Sequence, residues 1–232
     1  MFKAVLFDLD GTLLNRDKSV DLFINHQYER LNKILSHIPK EQYVSRFIEL
    51  DNYGYVWKDK VYQQLIEEFN ICSVTWEELL EDYVDNFKHH CIGFPHIHEM
   101  LEELKNNKIA LGMITNGYGQ FQMDNIKALN IDSYFDVILV SEFEGIKKPD
   151  PQIFISALKK LNVKPSESLF IGDHPDNDVR AAQNVGMASV WKKDNSWSDV
   201  KADAIIDDYL ELPLLLKNLS SNKNCYTYSV LK

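Results

Sequence analysis

Cysteine is scarce in this chain of 232 residues: Cys72, Cys91 and Cys225 are odd in number, far apart and form no Cys-x-x-Cys pair. A disulfide framework is thereby excluded, and reduced thiols in a cytoplasmic protein are expected. Long apolar runs are missing as well. No uncharged stretch approaches the roughly 18–20 residues that cross a bilayer. The apolar N-terminus MFKAVLFDLDGTLL is interrupted by Asp8 and Asp10, so it is no signal-peptide core. Basic charge is in deficit, with 25 Lys and Arg against 35 Asp and Glu, a net −10. A polyanion binder depends on lysine and arginine clusters, which argues against a nucleic-acid polymer as partner. A small anionic molecule remains compatible if a metal and a few local donors reverse the field at one point. Repeats and low-complexity tracts are absent too. The expected protein is a monomer or homodimer with a small-molecule partner and no membrane association, long enough to bury a core without staples.

What the chain does contain is an alternation. Lys3–Phe7, Ile109–Ile114, Phe135–Val140, Ser168–Ile171 and Ala188–Trp191 are short apolar runs ending in polar turns, which read as buried strands. From Pro95 onward they alternate with helical patterns at His96–Asn106, Gly119–Leu129, Gln152–Leu161 and Asp176–Val185. Strand–helix–strand alternation implies right-handed crossovers and a Rossmann-like parallel sheet with helices on both faces, an α/β fold. Residues 15–91 break the rhythm with four helical stretches and no convincing strand. One of them begins at Thr75, where Thr75 and Glu78 have the spacing of a capping box. The expected organisation is a catalytic core of residues 1–14 and 92–220, an all-helical insert at 15–91, and a loosely attached tail at 221–232.

In an open parallel sheet, ligands bind beyond the carboxyl ends of the strands where the strand order reverses. Four such ends carry unusual residues here: Asp8-Leu9-Asp10-Gly11-Thr12, Thr115-Asn116-Gly117, Lys147-Lys148-Pro149-Asp150, and Gly172-Asp173-His174-Pro175-Asp176-Asn177-Asp178. Asp8, Asp10 and Asp173 cannot all ionise within a few ångströms without a cation among them. Hard oxygen donors with room for water and a phosphate suit Mg²⁺. A carboxylate beside that cation can attack phosphorus, dividing one difficult hydrolysis into two easier transfers. Thr115, the Lys148 ammonium and loop amides would stabilise the charge on the equatorial oxygens. Asp10, two residues from Asp8, is placed to protonate a leaving alkoxide and then to deprotonate water.

FDLDGTLL, ITNG, IKKPDPQIF and IGDHPDNDVRAAQNVGM resemble, in order and spacing, the four motifs of the haloacid dehalogenase superfamily. The resemblance implies Asp8 as nucleophile and Asp10 as acid/base, with Thr115 and Lys148 on the phosphoryl group. It implies Asp173 as a metal ligand with Asp178 behind it, and a metal contact from the Asp10 backbone carbonyl. The insert would be the helical cap of one large subgroup, its closure excluding water. Nucleotide, sugar and glycerol-like monophosphates are common substrates of such members, and the ITNG and GDHPDND forms look most like the nucleotide and acylneuraminate phosphatases. Asp10 favours phosphoryl transfer over carbon–halogen hydrolysis. A phosphomutase and a non-catalytic phosphometabolite-binding protein are the alternatives.

Other features have plainer readings. Counting from Asp8 as the first position, Gly11 comes fourth rather than sixth, and a strand precedes the turn, unlike an EF-hand loop. The resemblance places the functional lysine directly before the proline, which implies Lys148 rather than Lys147 for the phosphate role. Asn116 and Gly117 contribute backbone amides and turn shape to the phosphate site. Asp176 fits helix N-capping. His89, His90, Cys91, His96 and His98 match no structural zinc spacing. Tyr118-Gly119 gives too little of a glycine pattern for a dinucleotide site. In the insert, Asp51–Lys58 is an aromatic break between helices. Either it senses the leaving group through Trp57 or Lys58, or its aromatics pack the insert's core. His174 either faces substrate or shapes the turn.

Overall fold

Ala4–Phe7 (β1) is four apolar residues, all buried, which is how a central strand covered on both faces should read. In the computed structural model, which describes residues 2–227 and the side chains to 219, the chain leaves β1 through the turn 8–14. It then builds a compact helical unit, Asn15–Ile92, before returning to the unit that holds β1, Met1–Leu14 with Gly93–Lys232.

The helical unit contains α1 (Arg16–Arg30), the short α2 (Asn32–Leu35), α3 (Lys40–Asp51), α4 (Lys58–Phe69) and α5 (Trp76–Asn86). Its core is aromatic: Phe23, Phe47, Tyr62, Tyr83 and Phe87 are buried, and the rings of Phe23 and Tyr83 meet edge-to-face at 4.9 Å. The capping box starts α5 as the sequence predicts, with Glu78 N–H donating to Thr75 Oγ1 at 3.3 Å and Thr75 N–H to Glu78 at 2.8 Å. Between α3 and α4 the chain turns through Asn52 and Tyr53, both at positive φ. Asp51 fixes this turn. It accepts from Gly54 N–H at 2.9 Å and pairs with Arg16 at 2.8 Å and with the buried Lys58. Burial would raise the Asp51 carboxyl, but Arg16 and Lys58 together hold it below the usual range.

The second unit continues with α6 (Ile97–Asn106), β2 (Ala110–Thr115), α7 (Gly119–Ala128), β3 (Val137–Val140), α8 (Ser141–Glu144), α9 (Pro151–Leu161) and β4 (Ser168–Gly172). A six-residue π turn, Pro175–Arg180, then leads into α10 (Ala181–Asn184), β5 (Ala188–Lys192), β6 (Ala204–Ile206) and α11 (Leu212–Thr227). All pairings are parallel, in the order β3-β2-β1-β4-β5-β6. Ala4 and Leu6 project into a cluster with Ile153, Phe154, Ala157 and Leu158 of α9, and the pleat sends Val5 and Phe7 to the other face. The strand order reverses at β1, whose register places Phe7 opposite both Met113 and Ile171. The turns after β1, β2 and β4 therefore emerge side by side.

Two elements depart from expectation. β6 adds a sixth strand; it is only three residues long and only Ile206 is buried. The tail expected from residue 221 begins inside α11, whose backbone is helical to Thr227; residues 228–232 lie outside the described residues. No helix among the described residues is long and apolar enough to cross a membrane.

Candidate active site

Asp8 follows β1 directly and is held by its amide, which donates to Ile171 O of β4 at 2.9 Å. Its carboxylate is nearly buried and meets the Lys148 ammonium at 2.7 Å. That ammonium also meets Asp178 at 2.6 Å. Lys148 comes from the loop before α9, where Asn116 grips it twice. The Asn116 amide donates to Lys148 O at 3.0 Å, and Lys148 N–H donates to Asn116 Oδ1 at 2.8 Å. Asn116, expected to act through its backbone, thus uses its side chain to tie the β2 turn to the lysine loop. The peptide between Lys148 and Pro149 is cis.

Asp173 and Asp178 arrive from β4. The π turn makes Asp178 reach back: both Asp178 N–H and Val179 N–H donate to His174 O, at 3.1 and 3.2 Å, and π turns of this kind cluster at functional sites. Asp178 is fully buried and also accepts from His174 N–H at 3.0 Å. The capping expected of Asp176 is done instead by His174, whose Nδ1 accepts from the amides of Asp176 and Asn177 at 3.0 and 3.1 Å. Nδ1 is therefore unprotonated, and burial lowers the imidazole pKa. Asp176 pairs with Arg180 on the surface. Of the two roles open to His174, shaping the turn is the one the geometry displays.

One carboxylate oxygen from each of Asp8, Asp173 and Asp178 lies within 4.8 Å of the others. Burial pushes the Asp8 carboxyl up to about 7, with Asp178 and Asp10 adding to the rise and Lys148 opposing it. Burial, then Asp178 and Asp8, raise Asp173 well above the carboxylate range. Lys148 would be lowered by burial, but Asp178 and Asp8 keep it protonated. Three crowded oxygen donors around a single ammonium form an all-oxygen set with excess negative charge, which fits a hard divalent cation such as Mg²⁺. Asp178 joins this set more directly than its expected place behind Asp173. The Asp10 carboxylate does not join it and turns to Gln122 instead.

Gly11 makes the crowding feasible. Its φ is +75°, and a Cβ there would lie 2.5 Å from Asp173 Oδ2. Thr12 donates to Asp173 Oδ1 at 3.3 Å. The turn is anchored from outside by the buried Tyr209, whose hydroxyl donates to Thr12 O at 2.7 Å, while the Trp191 indole donates to Asp173 O at 2.7 Å. Thr115 is fully buried at the end of β2, and Ser141 of α8 bridges Gly117 through N–H and C=O. Gln122, Ser141, Trp191 and Tyr209 belong to none of the four motifs. Gln122 had a signal: Gly119, Gln122, Asn125 and Ile126 form the buried stripe of α7, two amides where an apolar face is the rule.

Trp57 and Lys58 lie at the start of α4 in the helical unit. Lys58 is buried with its ammonium on Asp51 and 5.2 Å from the Tyr83 ring, so its charge is engaged inside that unit. Neither Cys72 nor Cys91 is joined in a disulfide.

A family model described as haloacid dehalogenase-like hydrolase matches residues 5–192. The glyceraldehyde 3-phosphate phosphatase of Pyrococcus furiosus is 30% identical, over 94% of this chain and 92% of that protein. Among solved structures, a HAD phosphatase from Thermococcus onnurineus is 30% identical, covers 93% of this chain and 98% of its own, and superposes with a TM-score of 0.66. A 2-haloacid dehalogenase from Pseudomonas syringae pv. Tomato is 27% identical, covers 94% and 100%, and gives a TM-score of 0.65.

Proposed function

Since the chain belongs to the haloacid dehalogenase-like hydrolase family, we propose that it is a Mg²⁺-dependent phosphatase acting on a small phosphate monoester through an aspartyl-phosphate on Asp8. The observation that carries this reading is the cluster of Asp8, Asp173 and Asp178, two of whose carboxylates, Asp8 and Asp178, meet the buried Lys148 ammonium. It joins a nucleophile, a cation-binding oxygen set and a fixed positive charge at the sheet's switch point.

An Asp8 oxygen forms a bond to phosphorus as the ester P–O bond breaks, and Asp10 gives its proton to the departing alkoxide. Asp10, now a carboxylate, takes a proton from water; that water's oxygen attacks phosphorus and releases inorganic phosphate and the Asp8 carboxylate. Lys148 and Thr115 hold the equatorial oxygens, where the transition state carries its charge. Asp8, Asp173 and the Asp10 carbonyl would hold the Mg²⁺, with Asp178 beside them. When bound, the ion offsets the negative charge shared by phosphate and carboxylates.

Similarity to a 2-haloacid dehalogenase raises carbon–halogen hydrolysis as a second reading. Asp10 favours the phosphatase, because displacement of halide from carbon needs no acid for the leaving group. The name of the Pyrococcus relative adds triose phosphates to the nucleotide and sugar phosphates that the motifs suggest. The net −10 charge and the unbridged thiols accord with a cytoplasmic enzyme for small molecules. We read the inserted helical unit as the part that selects the leaving group.

The test is phosphate release from a panel of triose, sugar, nucleotide and short-chain phosphates, with Mg²⁺ or EDTA, by the parent and Asp8→Asn. Release that needs Mg²⁺ and disappears in the variant is expected. Release unchanged in the variant would remove Asp8 as nucleophile. Halide release from 2-chloropropionate without any phosphate release would replace the phosphatase with a dehalogenase.

A further inference from the structure

Gln122 lies in the first turn of α7 with its side chain directed inward and 2% exposed. A buried carboxamide is unfavourable unless its hydrogen-bonding groups are matched, and here they are matched to the candidate site. Nε2 donates to Asp10 Oδ2 at 2.7 Å and to Thr115 Oγ1 at 2.7 Å, with Asn116 O at 3.3 Å. Oε1 accepts from the buried Asn125 at 3.4 Å. The orientation of the amide is fixed by its neighbours, because a carboxylate and a backbone carbonyl can only accept. Gly117 makes way for it: a Cβ at 117 would lie 2.8 Å from Gln122 Cγ.

From this geometry we infer that Gln122 is a positioning residue that holds the general acid in register with the phosphoryl site. The inference rests on the phosphatase reading above. Asp10 stands in the turn after β1 and Thr115 at the end of β2, so a single amide from α7 ties the ends of two strands together. Both hydrogens of Nε2 have short acceptors. Asp10 is thereby tethered through Oδ2, which leaves Oδ1 to carry the proton for the leaving alkoxide. Thr115 Oγ1 is an acceptor in its bond to Gln122, so its own hydrogen is available to a phosphoryl oxygen. Without the amide, the Asp10 carboxyl would turn about its Cβ–Cγ bond and the acid would be displaced. A displacement of about 1 Å is enough to cost a large factor in rate.

A merely structural residue would affect all substrates alike, whereas one that aims the acid would affect those whose leaving group needs a proton. The experiment compares kcat/KM of the parent and Gln122→Met for two substrates: the best alkyl phosphate of the panel and p-nitrophenyl phosphate, whose phenolate leaves without protonation. The expected result is a loss for the alkyl phosphate at least about tenfold greater than for p-nitrophenyl phosphate. Gln122→Glu keeps the shape without the N–H groups and should show the same pattern, so the test stands even if the methionine variant fails to fold. Equal losses for both substrates, or no loss in a folded variant, would overturn the inference and leave the phosphatase standing. A parent with no phosphate release from any compound would remove the phosphatase reading, and the inference with it.

Discussion

At the scale of single residues, Lys148 decides whether the site can exist without a bound cation. Its ammonium is shared between Asp8 and Asp178, and Asp173 is close by. Lys148→Met would leave the buried Asp8 and Asp178 and the half-buried Asp173 facing one another, a removal that ordinarily costs about 3–5 kcal/mol. Urea denaturation should show a loss of that order, partly restored by Mg²⁺, and turnover should fall by about two orders of magnitude or more. A variant as stable as the parent would mean that the carboxylates are protonated or separated without the lysine. Asp8, Asp10 and Asp173 were legible in the sequence because each follows a strand in a short, ordered motif, and Lys148 because it stands directly before Pro149 in a further motif, in the loop between α8 and α9. Gln122 was not, since a lone glutamine on a helix is ordinarily solvated; only its position on the buried stripe of α7 sets it apart. The Asp10 carboxylate was assigned by proximity in sequence, which could not show that the turn directs it to an amide.

At the scale of elements, the α3–α4 turn depends on one carboxylate. Asp51 ties Arg16 of α1, Lys58 of α4 and the Gly54 amide into one buried network. Asp51→Asn would leave Lys58 buried without its counter-charge, and a loss of about 3 kcal/mol in the stability of the helical unit is expected. Tryptophan fluorescence during denaturation would read it through Trp57 and Trp76, and an unchanged midpoint would show that the network is dispensable. The sequence marked this segment as a break between helices, but pairings 35 and 7 residues apart leave no local pattern. The missed strand has a similar cause. β6 is three residues between acidic neighbours, and its pairing with β5 supplies the order its own composition does not. The strong elements were legible because buried parallel strands are nearly all apolar, as β1 is throughout and β4 is between Ser168 and Gly172.

At the scale of the whole molecule, the excess of buried carboxylate couples stability, protons and metal. Asp8 is raised to about 7 in the folded chain against about 4 when unfolded, so between those values the folded protein holds more protons. Without a cation this contribution is fully present below about pH 4 and is lost as pH rises through about 7, and Asp173 acts in the same direction. A divalent cation competes with those protons, so its stabilisation grows with pH. The rise in Tm on adding Mg²⁺ should be clearly larger near pH 8 than near pH 5. An equal rise at both would show that the ion binds elsewhere. The strand order has a separate consequence, for the time course of synthesis. β1 precedes the other strands in the chain but lies inside the sheet, and its two neighbours end at Thr115 and Gly172. On the ribosome β1 must wait, as an apolar segment without strand partners, while the whole helical unit is translated and can fold ahead of it. The turn at Asp8 is therefore made ahead of every other strand of the sheet and is among the last parts of that sheet to take shape.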